Sequence, residues 1–335
     1  MEKLTIVQRV HRDLKYSAEK IAGLHKQIIE DFKFCQGNQW KSEDVQTLSE
    51  AGVKALVINK IKPIIKLITG IERQSRSDYK AFPEGGEDEL TSNIVSRLLK
   101  NVSKNSNVEV KQSEVFKNGV TGGMCFIEPY MDYSYDLVNG DLKFKKVSSG
   151  DVYLDPDFQE YDLSDSKFVI KITKDLTRDD LDLLFPDDSS KLDNVGTSSS
   201  DNLYTISSII SRETYDYPKP TEGVDINDKK EGALYDLIDY YYKDSQKKFF
   251  ALVPSRGIVQ QFDSEDEAKE YVTKANEGSV IERSVPVIMH AQVVGNVEFY
   301  NEQCWSYPGW KYYPILPFFA ELITENLDDF SLKIQ

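Results

Sequence analysis

Histidine and cysteine are scarce, three of each in 335 residues, and their placement excludes the commonest kinds of site. Cys35, Cys125 and Cys304 lie far apart, no C-x-x-C pair occurs, and no histidine neighbours any of them. A zinc ribbon or a disulfide framework needs closer or paired cysteines, so these read as reduced thiols of a protein made in the cytosol. His11 and His25 stand two heptads apart in one helical pattern. That is too far to share a metal, and both are expected on a solvated helix face. His290 falls mid-strand and is expected to have its hydrogen bonds satisfied. G-x-S-x-G, H-E-x-x-H, G-x-G-x-x-G and G-x-x-x-x-G-K-[ST] are also missing. Gly122-Gly123 lacks the lysine and hydroxyl of a phosphate loop and reads as a helix terminator. No apolar run approaches the roughly 18 residues needed to span a bilayer. The opening MEKLTIVQRVHRDLK interrupts its apolar positions with charges, unlike a signal peptide.

Positive charge is in short supply: 41 Lys and Arg against 56 Asp and Glu, a formal net charge of −15. Proteins that grip nucleic acid are usually basic over their footprint, so the balance argues against a clamp on DNA or on an anionic membrane. Acidity keeps a protein soluble. It would also let DNA pass without sticking, although nothing in the charge demands that.

What the chain does have is an ordinary globular composition, 40% hydrophobic and 11% aromatic, with 19 Tyr. The carboxylates Asp151, Asp155, Asp157, Glu160, Asp162 and Asp165 are the best candidate cation ligands. They lack the sharp glycine turn of a calcium loop, and Pro156 favours a plain turn instead. No carboxylate pair stands out for glycoside hydrolysis. No cofactor or metal is expected. The basic residues Lys60, Lys62, Lys66, Arg73 and Arg76 fit a phosphate contact, ion pairs to an acidic neighbouring subunit, or a solvated face.

Apolar spacing of three and four predicts a long helix over 4–35, with Leu14, Ile21, Leu24 and Ile28 facing protein and Gly37 ending it. Further helices are predicted over 59–74, 88–103 and 108–120. The period then shifts toward strands. The segments 124–135 and 142–148 flank Asn139-Gly140, a hairpin signal. Strands are predicted at 152–154, 167–173, 234–242 and 247–253, with a second hairpin over 285–304 around Gly295-Asn296. Thr177 with Asp180, and Ser264 with Glu267, look like capping boxes. The stretch 186–232 reads as a loop-rich insertion with a strand or short helix near 203–210. The fold class is therefore α+β, helices first and antiparallel strands after. A helical part covers 1–123, an α+β part 124–321, and a tail 322–335. The apolar segment YYPILPFFAE, Tyr312 to Glu321, is expected to be exposed and the stickiest surface.

Four patterns recur in order. Asp31, Phe34, Gly37, Gln39 and Trp40 form D-x-x-F-x-x-G-x-Q-W. Asn59, Ile61 and Pro63 form N-x-I-x-P, followed by Gly70, Arg73, Gln74 and Arg76 as G-x-x-R-Q-x-R. Asp151, Tyr153, Asp155 and Pro156 form D-x-Y-x-D-P, ahead of Ser164-Asp165. Pro314, Pro317 and Phe318 form P-x-x-P-F. In this order the chain resembles the N-terminal half of tailed-bacteriophage portal proteins of the short-tailed type. The resemblance implies the wing, the outer α/β body of a subunit in a ring of about twelve copies. The channel-lining stem would lie beyond this segment.

Such a ring sits at one capsid vertex of the virion and conducts the genome in and out. It docks the packaging ATPase (terminase) and then holds tail and adaptor proteins. DNA would pass without sequence-specific contact, and no membrane is involved. The motif residues read as scaffold or subunit-contact positions, and the chain as a structural protein rather than an enzyme. On its own the segment is expected to be monomeric or weakly associated. Two other readings compete: a different phage adaptor or interaction module on a wing-like fold, and a hydrolase with a cryptic carboxylate site. A ring subunit should expose two apolar patches and an adaptor one. A hydrolase should have a deep pocket with convergent carboxylates.

Overall fold

A computed structural model of the chain describes residues 4–76, 79–83, 89–192, 195, 235–253, 258–275, 278–304 and 312–321. The segment near 203–210 and the tail over 322–335 lie outside the described residues, as does most of the insertion. Helices come first: α1 (Ile6–Gln36), α2 (Ser42–Glu50), α3 (Ile61–Gln74), α4 (Glu89–Asn105) and α5 (Val108–Gly122). Antiparallel strands and short helices follow: β1 (Met124–Asp132), β2 (Asp141–Val147), β3 (Val152–Leu154), β4 (Phe168–Leu176), α6 (Arg178–Leu184), α7 (Ser189–Leu192), β5 (Tyr235–Val253), β6 (Ile258–Phe262), α8 (Glu265–Ala275), β7 (Ser279–Val294), β8 (Val297–Gln303) and β9 (Leu316–Phe319). The fold is α+β.

The described residues fall into two compact bodies. One takes residues up to 14, 164–192 and 235–313; the other takes 15–163 and 314–321.

In the first body the strand order is β4-β5-β7-β8, all antiparallel, with β6 also pairing β5. Two separate strands at 234–242 and 247–253 were expected, yet β5 runs unbroken for 19 residues. The polar Lys243-Asp244-Ser245-Gln246 stretch does not end it, because each residue has a ladder partner on β7, from Lys243 opposite Ile288 to Gln246 opposite Val285. The β7–β8 hairpin turns at Gly295, as expected. Thr177 and Asp180 form the expected capping box, with both reciprocal bonds, at the start of α6. Leu181, Leu192, Leu237, Val294 and Phe299 make an apolar cluster beneath α6 and α7.

The first residues of α1 belong to this body. Asp13 accepts a hydrogen bond from the Tyr240 hydroxyl at 2.7 Å and pairs with Arg12 at 2.8 Å. Burial first, then the Asp13 carboxylate, pushes the Tyr240 hydroxyl up from its ordinary pKa. The Arg9 guanidinium sits 4.5 Å from the Tyr242 ring centroid, and Tyr240 and Tyr242 stack 5.0 Å apart. His11 reaches the Gly295 carbonyl at 3.1 Å.

The second body carries the rest of α1, a single helix without a break. Ala18, Ile21 and Ile28 are buried and Leu24 is half-buried. His25 is on the same stripe, so it is not on a solvated face: it is buried, edge-on to Tyr153 with ring centroids 5.2 Å apart. It occupies a core-facing turn between Ile21 and Ile28, a position that helical spacing alone assigns to an apolar residue. Sheet order here is β2-β1-β9, antiparallel.

The YYPILPFFAE segment is not the exposed surface its apolar content predicts. Pro314, Ile315 and Phe319 are buried, because Leu316–Phe319 adds a strand to β1 and Phe319 enters the core; Tyr313, which belongs to the first body, is buried there and donates its hydroxyl to the Ser166 carbonyl at 2.8 Å. The Phe319 ring stacks on Phe158 (5.5 Å) and meets Phe126 and Tyr161 edge-on. Helix α5 packs so closely on β9 that a Cβ on Gly119 would come within 2.1 Å of the Phe318 ring.

Candidate functional site

The nineteen residues of the four patterns are in the second body, and Ser164-Asp165, which follow the third pattern, are at the start of a segment of the first. The pattern residues do not converge on one point. They fall into a clasp, a helix face, an arginine node and a turn.

The clasp joins the end of α1 to the start of α3. Gly37, at φ +114°, ends α1 with the 6→1 bond from the Asn38 N–H to the Lys33 carbonyl at 2.9 Å and the 5→2 bond from the Gly37 N–H to the Phe34 carbonyl at 3.1 Å. Only glycine adopts that conformation without strain. Asn59 donates from its side chain to the Cys35 carbonyl at 2.7 Å and accepts from the Lys62 N–H at 3.1 Å, so one amide closes α1 and opens α3. The Trp40 indole donates to the Leu56 carbonyl at 3.2 Å. Trp40 thus fastens a connection and does not fill a core; it and Phe34 stay exposed. Between Trp40 and Leu56 lies α2, which buries no residue and which apolar spacing does not mark. Gln39 is half-buried beside Gly37. Asp31 lies on the last turns of α1, where burial and then Glu30 push its carboxyl up.

On α3 only Ile65 and Thr69 are buried. Pro63, Arg73 and Gln74 point outward, and Gly70 is half-buried. Arg76, just after the helix, turns inward. Its Nε donates to Glu72 at 3.2 Å and one terminal nitrogen to Glu109 at 3.4 Å, while the other donates to the Ser113 hydroxyl. Ser113 in turn donates to Glu72 at 2.5 Å. Burial pushes the Glu72 carboxyl up, but the Ser113 and Arg76 hydrogen bonds and the Arg76 and Arg73 charges outweigh it and leave Glu72 below the usual range.

Arg76 therefore separates from the other basic residues. Among the described residues, Lys60, Lys62, Lys66 and Arg73 form no ion pair. Glu72, Glu109 and Ser113 carry no motif signal; the four-residue spacing of Glu72 and Arg76 was the one clue in the sequence. Replacing Arg76 with alanine should cost about 1–3 kcal/mol, since Glu72 loses its charged donor. Because the folded pKa of Glu72 is lowered, that contribution is present above its unfolded value and lost as pH falls through the folded one. Urea unfolding of Arg76→Ala at pH 7 and at pH 4 checks both: the deficit should shrink at the lower pH.

Tyr153 is buried on β3 against His25, and Asp155 is buried, with its carboxylate accepting from the Asp157 N–H at 3.2 Å. Asp151 closes a short turn through its N–H to the Ser148 carbonyl at 3.1 Å, and Pro156 follows Asp155 at a half-buried position. Among the described residues no group of three or more His, Cys, Asp or Glu is placed to hold a metal ion. A cavity of about 1080 Å³ lies against α3, α4 and α5 and includes Arg76, Pro317 and Phe318 with Glu72, Lys100 and Lys104. It gathers three motif residues, but its acids are already bound to Arg76 and Ser113.

The first body contains a buried ionic row that no motif marks. Lys171, Asp239 and Gln292 are register neighbours on β4, β5 and β7. Lys171 pairs with Asp239 at 2.9 Å, His290 meets the other carboxylate oxygen at 3.0 Å, and Gln292 donates to it at 2.8 Å. Burial would raise the Asp239 pKa, but the His290 hydrogen bond and the Lys171 charge hold it well below the usual carboxylate range. With its bond to Asp239, and stacked on Tyr241 at 4.4 Å, His290 is a satisfied strand histidine, as expected.

A family model described as Phage P22-like portal protein matches residues 11–330. The chain is also similar to a portal protein of Helicobacter pylori bacteriophage KHP30, 23% identical over 146 residues. That stretch covers 44% of this chain and 24% of the relative, so the chain spans about a quarter of the curated relative it matches.

Proposed function

Because this chain belongs to the phage P22-like portal protein family, we propose that it is a structural, non-catalytic subunit of the ring at one capsid vertex. Through that ring the genome is packaged and ejected, and on it the packaging ATPase and later the tail and adaptor proteins dock. The family match over residues 11–330 carries the reading. The geometry supports it in two ways. The motif residues fasten helices and turns, as scaffold positions should. Two helices, α3 and α4, also leave apolar residues exposed, among them Ile64, Leu67, Leu90 and Ile94, and this suits a protein that works inside an assembly. The helical part over 1–123 and the α+β part over 124–321 would together form the wing, and the motif residues would shape it or its subunit contacts. DNA would pass without sequence-specific contact, consistent with a net charge of −15.

An antibody raised against this chain and coupled to gold should label virions at a single vertex, the one that bears the tail. Label spread over the whole capsid, or confined to the tail tip, would replace the portal reading with that of a capsid decoration or adaptor protein.

A further inference from the structure

We propose that the cavity against α3, α4 and α5 binds a short acidic peptide with a bulky apolar residue, carried by another protein. The proposal goes beyond the ring-subunit reading and does not depend on it. Every residue that lines the cavity belongs to the second body.

Two chemically different walls meet there. From α4, Lys100, Ser103 and Lys104 line the cavity, and at spacings of three and four they share one helical face. From α5, β1 and β9 come Val115, Phe116, Ile127 and Phe318. The Phe116 and Phe318 rings meet edge-on with centroids 5.4 Å apart. Phe318 also lies tight against Gly119, where a Cβ has no room, so packing fixes the aromatic wall before anything binds. A rigid aromatic wall of this kind suits an apolar anchor residue. Beside it, the Gln112 amide donates to the Tyr79 hydroxyl at 2.6 Å, which leaves the Tyr79 O–H to donate to a ligand.

Charge and size select that ligand. The Arg76 guanidinium is engaged by Glu72, Glu109 and Ser113. Lys104 makes no ion pair among the described residues, so it is the cation that a ligand carboxylate meets, with Lys100 one turn away. A wholly apolar ligand would leave that ammonium unmatched. Nucleic acid would set its phosphates against Glu72 and Glu109. At about 1080 Å³ the cavity stands at the top of the roughly 300–1,000 Å³ of small-molecule sites, which gives room for several residues of a peptide. A copy of this chain, at −15, is repelled as a whole, so the peptide belongs to a partner of different overall charge. Salt screens beyond about 8 Å, so a short peptide seated beside α4 responds to Lys100 and Lys104 more than to the distant acidity of the chain.

The test uses the fluorescein-labelled peptide Gly-Ser-Asp-Asp-Phe-Asp-Leu-Gly-Ser and reads fluorescence anisotropy on the full chain. It should bind saturably. One control replaces each aspartate with lysine, and another replaces phenylalanine and leucine with serine; both should bind at least about tenfold more weakly. Lys100→Glu with Lys104→Glu, both exposed, should weaken the acidic peptide by about tenfold or more and make the lysine peptide the tighter ligand. Lys62→Glu with Lys66→Glu changes the net charge equally but lies outside the cavity lining, and should leave binding within about twofold. Benzoylphenylalanine in place of the peptide's phenylalanine should crosslink to segments 100–127 or 317–318. No saturable binding up to about 1 mM, equal binding of the lysine peptide, binding that survives the α4 reversal, or a crosslink elsewhere would each overturn the proposal. Tighter binding of a short oligothymidylate would assign the cavity to nucleic acid and overturn it as well.

Discussion

Replacing Lys171 with methionine should destabilise the chain by about 3–5 kcal/mol, the cost of leaving a buried carboxylate without its cation. Lys171 and Asp239 are both almost wholly buried and 2.9 Å apart, so water cannot take over when the ammonium is removed. The remaining donors, His290 and Gln292, both bind the other oxygen of Asp239. The doubly substituted Lys171→Met/Asp239→Leu chain should be much less impaired than the sum of its single variants, because neither member of the buried pair is left facing a missing partner. Urea unfolding, followed by near-ultraviolet circular dichroism of the tyrosine-rich sheet, reads the cycle. Additive losses would mean that the two side chains do not stabilise each other. The pH dependence has a definite sign. Asp239 has a folded pKa below its unfolded value of about 3.9, so its contribution is present above pH 4 and is lost as pH falls toward the folded value. Wild type should lose stability in that acid range, and Asp239→Leu should lose less.

Phe319→Ala should cost about 3–5 kcal/mol, the range for truncating a buried phenylalanine. The ring is held by Phe126, Phe158 and Tyr161, on a strand only four residues long that binds one edge of β1. Three residues earlier, Leu316 lies exposed on the same strand, and its alanine variant should change stability by no more than about 0.5 kcal/mol. A thermal melt of the two variants side by side separates ring packing from strand pairing. Equal losses would show that pairing with β1, and not the ring, holds the strand.

The contrast between these two residues also shows what could be read from the sequence. Helix α1 was legible because 31 residues repeat one apolar spacing, and the α6 cap because Thr177 and Asp180 satisfy each other locally. Among the motif residues, Gly37 and Asn59 take the terminating and capping roles their types suggest. What was not legible depends on distant partners. β5 continues through four polar residues only because β7 supplies a ladder. His25 is buried because Tyr153, far along the chain, lies against it. The 312–319 segment looked sticky because its apolar content is visible locally, while the β1 edge that covers it is not. Arg76 looked like one of a basic group until Glu109 and Ser113, from α5, drew it inward.

The pairing of β1 with β9 also governs when the sheet of the second body can close as the chain leaves the ribosome. Met124 and Phe319 are direct partners, so the sheet of the second body stays incomplete until nearly 200 further residues have been made. At about 5–20 residues per second that interval is roughly 10–40 s. Throughout it, β1 has β2 on one side and an open edge on the other, next to the vacant place for an aromatic ring. An open edge of this kind is what neighbouring nascent chains pair with by mistake, and long-range closures of this kind are slow. Yield in the cell should therefore depend on how quickly β9 arrives, so that slow codons between β2 and β9 lower soluble protein while the same codons before α5 do not.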